Sequence, residues 1–236
     1  MKPLHIRYVF KLPPDDAVVG FDLAFDAKTI EQIEPLPDDL PDWTALEFHQ
    51  CSNCPLKPEQ VSHCPLAARL SQVVRQFDAV LSHDTVHVEV LTVERRISQE
   101  TTAQRAISAL MGLVIATSGC PHTVYLKPMA RFHLPLASEE ETIYRATSMY
   151  LLAQYFMREA GWGVDFMLDG LTDVYRNLQI VNAATARRLR ASSETDAAVN
   201  AIVLLDLYAK TMPSVIADSV DDIAYLFEPY SRLPSL

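Results

Sequence analysis

The sequence predicts an α+β protein, in which a small N-terminal antiparallel sheet and a cysteine-rich metal-binding segment are followed by a mainly helical C-terminal bundle. Two observations support this fold class. Side chains near the N-terminus alternate between apolar and charged, and from residue 138 onward apolar side chains recur at helical spacing. We therefore expect an α+β region in residues 1–137 and a helical region in residues 138–236, as two domains or as one continuous domain.

Period-two alternation predicts three strands. Residues 6–12 place apolar side chains on one face and basic ones on the other, and residues 19–25 repeat the apolar alternation. The Pro- and Asp-rich residues 13–17 between them are typical of a turn, so the two strands should form an antiparallel hairpin. Alternating valines in residues 86–90 predict a further strand.

The segment between the hairpin and the first cysteine is expected to be mostly irregular. Residues 34–42 contain three prolines and three aspartates, which are compatible with neither a helix nor a central strand. Residues 43–48 predict a short strand that leads to the first cysteine.

Helical spacing and end signals predict five helices and a short final turn. Gly119 is placed for a left-handed stop, Ser138 and Glu141 match a capping box, and Pro213 is expected to interrupt the fifth helix. The aromatic side chains of the third helix are interpreted as packing residues. In chain order the helices cover residues 65–77, 101–117, 138–161, 165–190 and 195–211, and the turn covers 223–227.

Charge and hydropathy exclude several functional classes. Thirty acidic against twenty basic residues give a net charge of −10, which disfavours nucleic acid and anionic membranes as partners. No apolar stretch approaches the roughly 20 residues of a membrane helix, and the N-terminus lacks the apolar core of a signal peptide. We expect a soluble cytoplasmic protein, in which cysteines serve as ligands or catalytic thiols rather than disulfides.

The four cysteines predict a shared metal centre. Cys51 and Cys54 form a CxxC whose tight turn can aim both sulfurs at one ion, and Cys64 follows ten residues later. Cys120 comes just after a predicted helix end. Because Cys64 precedes Pro65, we expect it at a helix N-cap, where the helix dipole stabilises a thiolate.

The occupant of this centre is open between zinc and a [4Fe–4S] cluster. Zinc is favoured because it is the commoner occupant of closed all-sulfur sites. The prolines that follow three of the cysteines favour the cluster, because they remove backbone N–H groups that commonly bond to metal-bound sulfur, and Cys-Pro occurs in ferredoxins. His49, His63 and His122 are alternative fourth ligands.

Two other interpretations of the cysteines remain. Cys51 and Cys54 could act as a thiol oxidoreductase pair, although no βαβ pattern surrounds them. Cys64 and Cys120 could be buried as small apolar side chains. The leading hypothesis is a non-enzymatic metal-binding protein with a structural, regulatory or interaction role, in which the helical region contacts a protein partner.

Other polar residues are given structural interpretations. Arg131 and His133 are expected on one solvated face of an extended strand. Arg187, Arg188 and Arg190 are interpreted as charges that complement the dipole at the end of a helix. The motifs of nucleotide-binding folds, α/β-hydrolases and zincins are absent.

Three segments together resemble a family of uncharacterised bacterial proteins. These segments are Cys51-Ser-Asn-Cys54-Pro-Leu, Thr117-Ser-Gly-Cys-Pro121 and Met129-Ala-Arg-Phe-His-Leu-Pro135. The resemblance implies a bacterial origin, an N-terminal β-hairpin, a helical C-terminal part and a set of cysteines that belong together. It implies no activity.

Overall fold

Four strands form one antiparallel sheet, and a computed structural model describes residues 2–77, 79–192, 196–218 and 221–232 of the chain. The strands are β1 (Leu4–Leu12), β2 (Ala17–Phe25), β3 (Thr85–Leu91) and β4 (Arg96–Thr102). Their spatial order is β2-β1-β3-β4, so the predicted hairpin is confirmed and β1 lies inside the sheet. The apolar side chains of β1 and β3 point to one buried face, as the alternation predicted.

The edge strand β4 was not predicted, and its composition explains why. Residues 96–102 are almost entirely polar, and most of their side chains are exposed. The strand pairs with β3 from Thr85–Thr102 to Leu91–Arg96, and polar side chains such as Arg96 with Glu89 also join the two strands. Polar side chains on an edge strand leave no apolar alternation for sequence analysis to detect.

Six helices follow or interrupt the sheet in the described chain. They are α1 (Pro65–Gln76), α2 (Ala103–Ala116), α3 (Lys127–Arg131), α4 (Glu139–Glu159), α5 (Asp169–Arg190) and α6 (Ala197–Asp218). Short 3₁₀ segments cover Asp42–Thr44, Val124–Leu126 and Asp221–Arg232. The capping box of Ser138 and Glu141 is present at the start of α4, and the α+β prediction is confirmed.

One large apolar core joins the sheet to the helices. It contains the inward faces of β1 and β3, most of α1 and α2, and residues of α5 and α6 such as Val181, Leu189 and Ile202. A smaller cluster lies between α4, α5 and α6, around Ile143 and Leu171. Helix α2 is therefore packed between the sheet on one side and α6 on the other.

Two predicted strands are wrong. Residues 43–48 begin in a 3₁₀ turn, and their only strand-type pairing is an isolated bridge between Ala45 and His63. Residues 127–131 form α3, because Pro128 occupies its first turn, where a proline favours a helix over a strand.

The end of α6 also differs from expectation. The predicted start at Thr195 lies outside the described residues, and the helix begins at Ala197. It continues through Pro213 to Asp218, because a proline removes one backbone hydrogen bond and bends a helix without preventing the next turn. Within the described ranges, no helix combines the length and apolarity required to cross a membrane.

The aromatic side chains of α4 fall into exposed and packed ones. Tyr144, Tyr155 and Phe156 are 48%, 46% and 62% exposed. The packing prediction is therefore confirmed for Tyr150, which packs against the smaller cluster, and wrong for the exposed Tyr155 and Phe156.

Candidate metal centre

The cysteine segment folds back on itself between residues 44 and 64. The N–H of Cys54 donates to the carbonyl of Cys51 at 3.0 Å, which closes the expected tight turn. At the base of the loop, the N–H of Cys64 donates to the carbonyl of Thr44 at 2.8 Å. The chain that leads to the turn therefore lies beside the chain that leaves it.

Cys64 occupies the N-cap of α1, as predicted from the proline that follows it. Pro65 lies in the first helical turn, and the carbonyl of Cys64 accepts the N–H of Ala68 at 2.9 Å. The Cys64 side chain is partly buried and packs against the main core. The start of a core helix thus fixes the position of this sulfur.

Cys120 is placed by the loop that ends α2. Gly119 has a φ of 85°, a left-handed conformation that glycine adopts without strain, so the chain reverses direction just before the cysteine. Thr123 returns a hydrogen bond of 2.8 Å to the carbonyl of Ile115. Cys120 is 9% exposed and belongs to the main core.

A direct link joins the Cys120 loop to the CxxC turn. Nε2 of His122 is 2.7 Å from the carbonyl oxygen of Asn53, which lies between Cys51 and Cys54 in sequence. Because a carbonyl can only accept, His122 donates from Nε2. Asn53 in turn donates to the side-chain oxygen of Asn177 on α5 at 2.8 Å.

The four sulfurs are electrostatic neighbours. Burial raises the pKa of the Cys51 thiol to about 12, and the thiols of Cys64, Cys120 and Cys54 add to the increase. Burial, with contributions from Cys64 and Cys54, raises the pKa of Cys120 to about 11. All four cysteines are free thiols. Three separate stretches of chain therefore bring their thiols into one group.

These thiols are neighbours without standing in the geometry of a bound ion. Across the described ranges, no three His, Cys, Asp or Glu side chains are arranged to hold a metal. The raised pKa of Cys51 keeps its thiol protonated near neutral pH, whereas a redox-active cysteine requires a lowered pKa. The thiol oxidoreductase interpretation therefore gains no support from this arrangement.

The histidines near the cysteines make bonds within the protein. The Thr44 hydroxyl donates its proton to the carbonyl of Pro41 at 2.7 Å, so it accepts from Nδ1 of His63 at 2.8 Å. The ring of His49 packs edge-on against Phe48. With His122 bonded to Asn53, both His63 and His122 use one ring nitrogen to position the loops that carry the cysteines.

Arg188 lies close to the group of thiols and is buried. Its interpretation as a charge that complements the helix dipole at the surface is therefore wrong. Its side chain is 2% exposed, while its neighbours Arg187 and Arg190 are exposed. Its guanidinium donates three hydrogen bonds, to the carbonyl oxygens of Trp43 at 2.7 Å, Ala45 at 2.7 Å and Leu46 at 2.9 Å.

Arg188 also interacts electrostatically with the thiols. Burial lowers the pKa of Arg188, and three of the thiols act in the opposite direction, those of Cys64, Cys51 and Cys54. A sequence signal for this position exists, because Arg188 falls at helical spacing from the buried residues Val181 and Thr185. That spacing identifies the inward face of α5.

Arg131 and His133 do not form the solvated strand face that was expected. Arg131 is exposed at the end of α3, with its guanidinium 5.2 Å from the ring centre of Phe132. His133 is partly buried, and its Nε2 shares a hydrogen bond of 2.5 Å with the hydroxyl of Tyr8 in the core. Its charged neighbour is Arg145, so it belongs to a different part of the molecule from the thiols.

Comparison with known proteins identifies a family and no function. The family model described as a domain of unknown function, DUF6901, matches residues 5–228. Neither a curated protein nor a solved structure matches the sequence significantly. The match spans the sheet, the four cysteines and the helices, in agreement with the resemblance to an uncharacterised family. The chain therefore belongs to the DUF6901 family.

Proposed function

We propose that this protein binds a metal centre through Cys51, Cys54, Cys64 and Cys120, and that the centre joins the cysteine loop to the end of α2. The observation that carries the proposal is the meeting of four free thiols from three separate stretches of chain. Four protein ligands leave no open position for a substrate, so the role is structural or regulatory rather than catalytic.

The cysteine loop has a clear need for such a link. Between the end of β2 and the start of α1, the only regular element is a 3₁₀ turn of three residues. A long segment without regular structure loses conformational entropy when it is ordered. Metal binding by four residues supplies free energy of folding that the loop itself lacks.

Zinc is the first candidate for the metal. Four thiolates around a divalent ion form a closed tetrahedral site with an excess of negative charge. The buried Arg188 cation interacts electrostatically with three of the four thiols, and it would offset part of that charge. A cation in this position suits any occupant bound by four thiolates.

A [4Fe–4S] cluster is the second candidate, because four cysteine thiolates also suit a cubane cluster. The thiols are coupled electrostatically, yet they do not stand in the geometry of a single bound ion. A cubane cluster binds each cysteine at a different corner, so its four ligands lie farther apart than those of one zinc ion.

Metal analysis and an absorption spectrum of anaerobically purified protein test both candidates. Zinc near one equivalent in a colourless protein identifies the structural zinc site. A brown protein with iron and acid-labile sulfide identifies the cluster. A metal-free protein that reversibly oxidises one dithiol would contradict the proposal and favour thiol redox chemistry.

Single substitutions test whether the distant cysteine belongs to the set. Cys120→Ser is expected to reduce metal retention as strongly as Cys54→Ser, because each removes one of four ligands. Ser52→Ala, an exposed position in the same CxxC turn, is the matched control and should retain metal. Full metal content in the Cys120→Ser protein would remove that residue from the site.

The structural role has its own measurement. After chelation, hydrogen exchange should accelerate in residues 51–64, while β1 in the core keeps its protection. Equal exchange in both regions with and without metal would show that the centre does not stabilise the loop.

The interaction part of the proposal concerns helix α4. Apolar side chains along and after this helix are exposed, including Leu152 at 56%, Phe156 at 62% and Trp162 at 69%. Concentrated exposed apolar side chains commonly mark protein interaction surfaces. We propose that this face contacts a second copy of the chain.

Light scattering over a range of concentrations tests this contact. The wild type is expected to self-associate, and Phe156→Glu is expected to be monomeric. Val93→Glu introduces the same charge at an exposed apolar residue between β3 and β4, and it should behave as the wild type. A monomeric wild type at high concentration would contradict the proposed contact.

A further inference from the structure

A cavity of about 210 Å³ lies between α2, the segment around α3, and helices α5 and α6. Its walls are mainly apolar, with Leu113, Leu126, Leu178 and Leu205 among them. None of the four cysteines lines it, so its function can be considered independently of the metal centre. A concave apolar cavity with a few convergent polar groups is the usual form of a small-molecule site.

Arg145 from α4 brings a positive charge to this cavity. Its Nη2 donates to the carbonyl oxygens of Met129 at 2.9 Å and Phe132 at 3.0 Å. Its Nη1 and Nε have no hydrogen-bond partner among the described residues, although both are strong donors. The guanidinium is therefore anchored on one side and has donors remaining on the other.

Two buried polar side chains next to the cavity also lack partners. Tyr175 is 6% exposed and Asn182 is 5% exposed, and both line the cavity. No hydrogen bond joins either side chain to a described residue, and their polar atoms are not among the fully enclosed unpartnered ones, so they are accessible from the cavity. A group bound in the cavity can therefore supply hydrogen-bond partners to both side chains.

The charge around the cavity has one sign. Arg105 and Arg145 line it, and no carboxylate does so among the described lining residues, in a chain of net charge −10. The carboxylate of Glu141 interacts with Arg145 over a longer distance, but its oxygen is bonded to the N–H of Ser138 in the capping box. Glu141 therefore offsets part of the Arg145 charge from outside the cavity, and no carboxylate of the described residues pairs directly with the guanidinium.

Arg145, Tyr175 and His133 are close together at one end of the cavity. Burial raises the pKa of the Tyr175 hydroxyl, and the Arg145 cation acts in the opposite direction. Burial and Arg145 lower the pKa of His133 to about 3, so the imidazole is neutral near pH 7. This end of the cavity therefore offers a cation, a hydroxyl and a neutral ring.

We propose that this cavity binds a small apolar carboxylate, with the carboxylate on Arg145 and the Tyr175 hydroxyl and the apolar body between α2 and α6. A carboxylate accepts several hydrogen bonds and pairs well with a guanidinium. A cavity of roughly 150 Å³ suffices for benzene in a well-known engineered case, so about 210 Å³ suits an aromatic or short-chain acid of about ten non-hydrogen atoms.

Titration calorimetry with phenylacetate and phenylacetamide tests the proposal. The two compounds have the same shape and differ in charge, so phenylacetate should bind with saturation and the amide should bind about tenfold more weakly or worse. Benzoate and hexanoate extend the probe set within the same size class. Equal binding of the acid and the amide, or no saturable binding of any of the three acids, would overturn the proposal.

Two tyrosine substitutions locate the binding site. Tyr175→Phe removes one unpartnered oxygen and should weaken phenylacetate binding by about tenfold, because a hydrogen bond to a charged group is lost. Tyr125→Phe, at a tyrosine that is 59% exposed and outside the cavity, should bind as the wild type. Unchanged affinity in the Tyr175→Phe protein would place the ligand elsewhere and contradict the assignment.

Discussion

Arg188 and Arg145 both point into the protein, and the regions around them use the guanidinium in different ways. Arg188 is almost fully buried beneath the cysteine loop and donates to three carbonyl oxygens. Arg145 is partly buried beside the apolar cavity and donates from one nitrogen to two carbonyl oxygens. Arg188 ties helix α5 to the backbone of residues 43–46. Arg145 has further N–H donors that are not bonded to the backbone.

The difference separates a structural charge from a charge that can recognise a ligand. A buried guanidinium that is hydrogen-bonded to the backbone fixes the loop that supplies its acceptors. A guanidinium with remaining donors in a cavity of one sign of charge is costly to bury and is stabilised by an anion. Replacing each arginine and measuring the free energy of unfolding tests whether Arg188 is structural and Arg145 is not.

The largest expected effect comes from Arg188→Met. The substitution leaves three backbone carbonyls in the 43–46 segment without their donor, and it removes the cation near the thiols. We expect the free energy of unfolding to fall by about 3–5 kcal/mol, measured by urea denaturation. Such a loss would confirm that Arg188 is a structural tie.

Arg187→Met is the matched control, because this exposed arginine is the adjacent residue on the same helix. Its free energy of unfolding should lie within about 0.5 kcal/mol of the wild type. If both substitutions cost the same, the buried hydrogen bonds of Arg188 do not stabilise the fold and the comparison between the two arginines fails.

A second expected effect depends on pH and concerns the region of Arg145. Burial and the nearby cation lower the pKa of His133 from 6.5 to about 3, so the folded protein keeps the imidazole neutral. The unfolded chain takes up a proton below about pH 6.5, and stability is therefore lost as the pH falls through this window. We expect a loss of about 3 kcal/mol between pH 6.5 and pH 4, measured by urea denaturation at each pH.

His133→Gln provides the reference for this pH dependence. Glutamine keeps hydrogen-bonding capacity toward Tyr8 and does not titrate, so the difference in slope between the two proteins isolates the imidazole. The variant should lose markedly less stability over the same window. Parallel curves for the two proteins would show that His133 is readily protonated in the folded state.

Local sequence patterns were sufficient to predict much of the secondary structure. The hairpin, the capping box of Ser138 and the start of α1 at Pro65 depend on residues close together in the chain, and all three are present. The edge strand β4 was missed because its side chains are almost entirely polar and show no apolar alternation. Residues 127–131 were assigned to the wrong element because a five-residue helix is too short for periodicity to identify.

The candidate sites show a similar division. The cysteine set could be proposed from spacing, because CxxC and Cys-Pro are local features. The cavity could not, since Arg145, Tyr175 and Asn182 come from two helices that only tertiary packing brings together. Arg188 was misinterpreted because three neighbouring arginines at a helix end usually face solvent, and only the spacing from Val181 distinguishes it.

Arg145→Met should cost less stability than Arg188→Met, and this result sharpens the comparison. The substitution removes two hydrogen bonds, one of which lies at an exposed position where water can replace the donor. It also removes the charge that disfavours protonation of His133. We expect a loss of about 1–2 kcal/mol by urea denaturation at neutral pH. A loss as large as that of Arg188→Met would show that the two regions do not differ.

The smallest expected effect comes from removing one oxygen at each of two buried tyrosines. Tyr8→Phe deletes the hydroxyl that is bonded to His133, so it should cost about 1 kcal/mol of unfolding free energy. Tyr175→Phe deletes a hydroxyl without a partner among the described residues, and its cost should be within about 0.5 kcal/mol of zero. Because both changes keep the aromatic ring, the difference reports the hydrogen bond alone. Equal losses, measured by urea denaturation without added acid, would mean that the Tyr175 oxygen is already satisfied, and the cavity would then lose one of the groups that make it a carboxylate site.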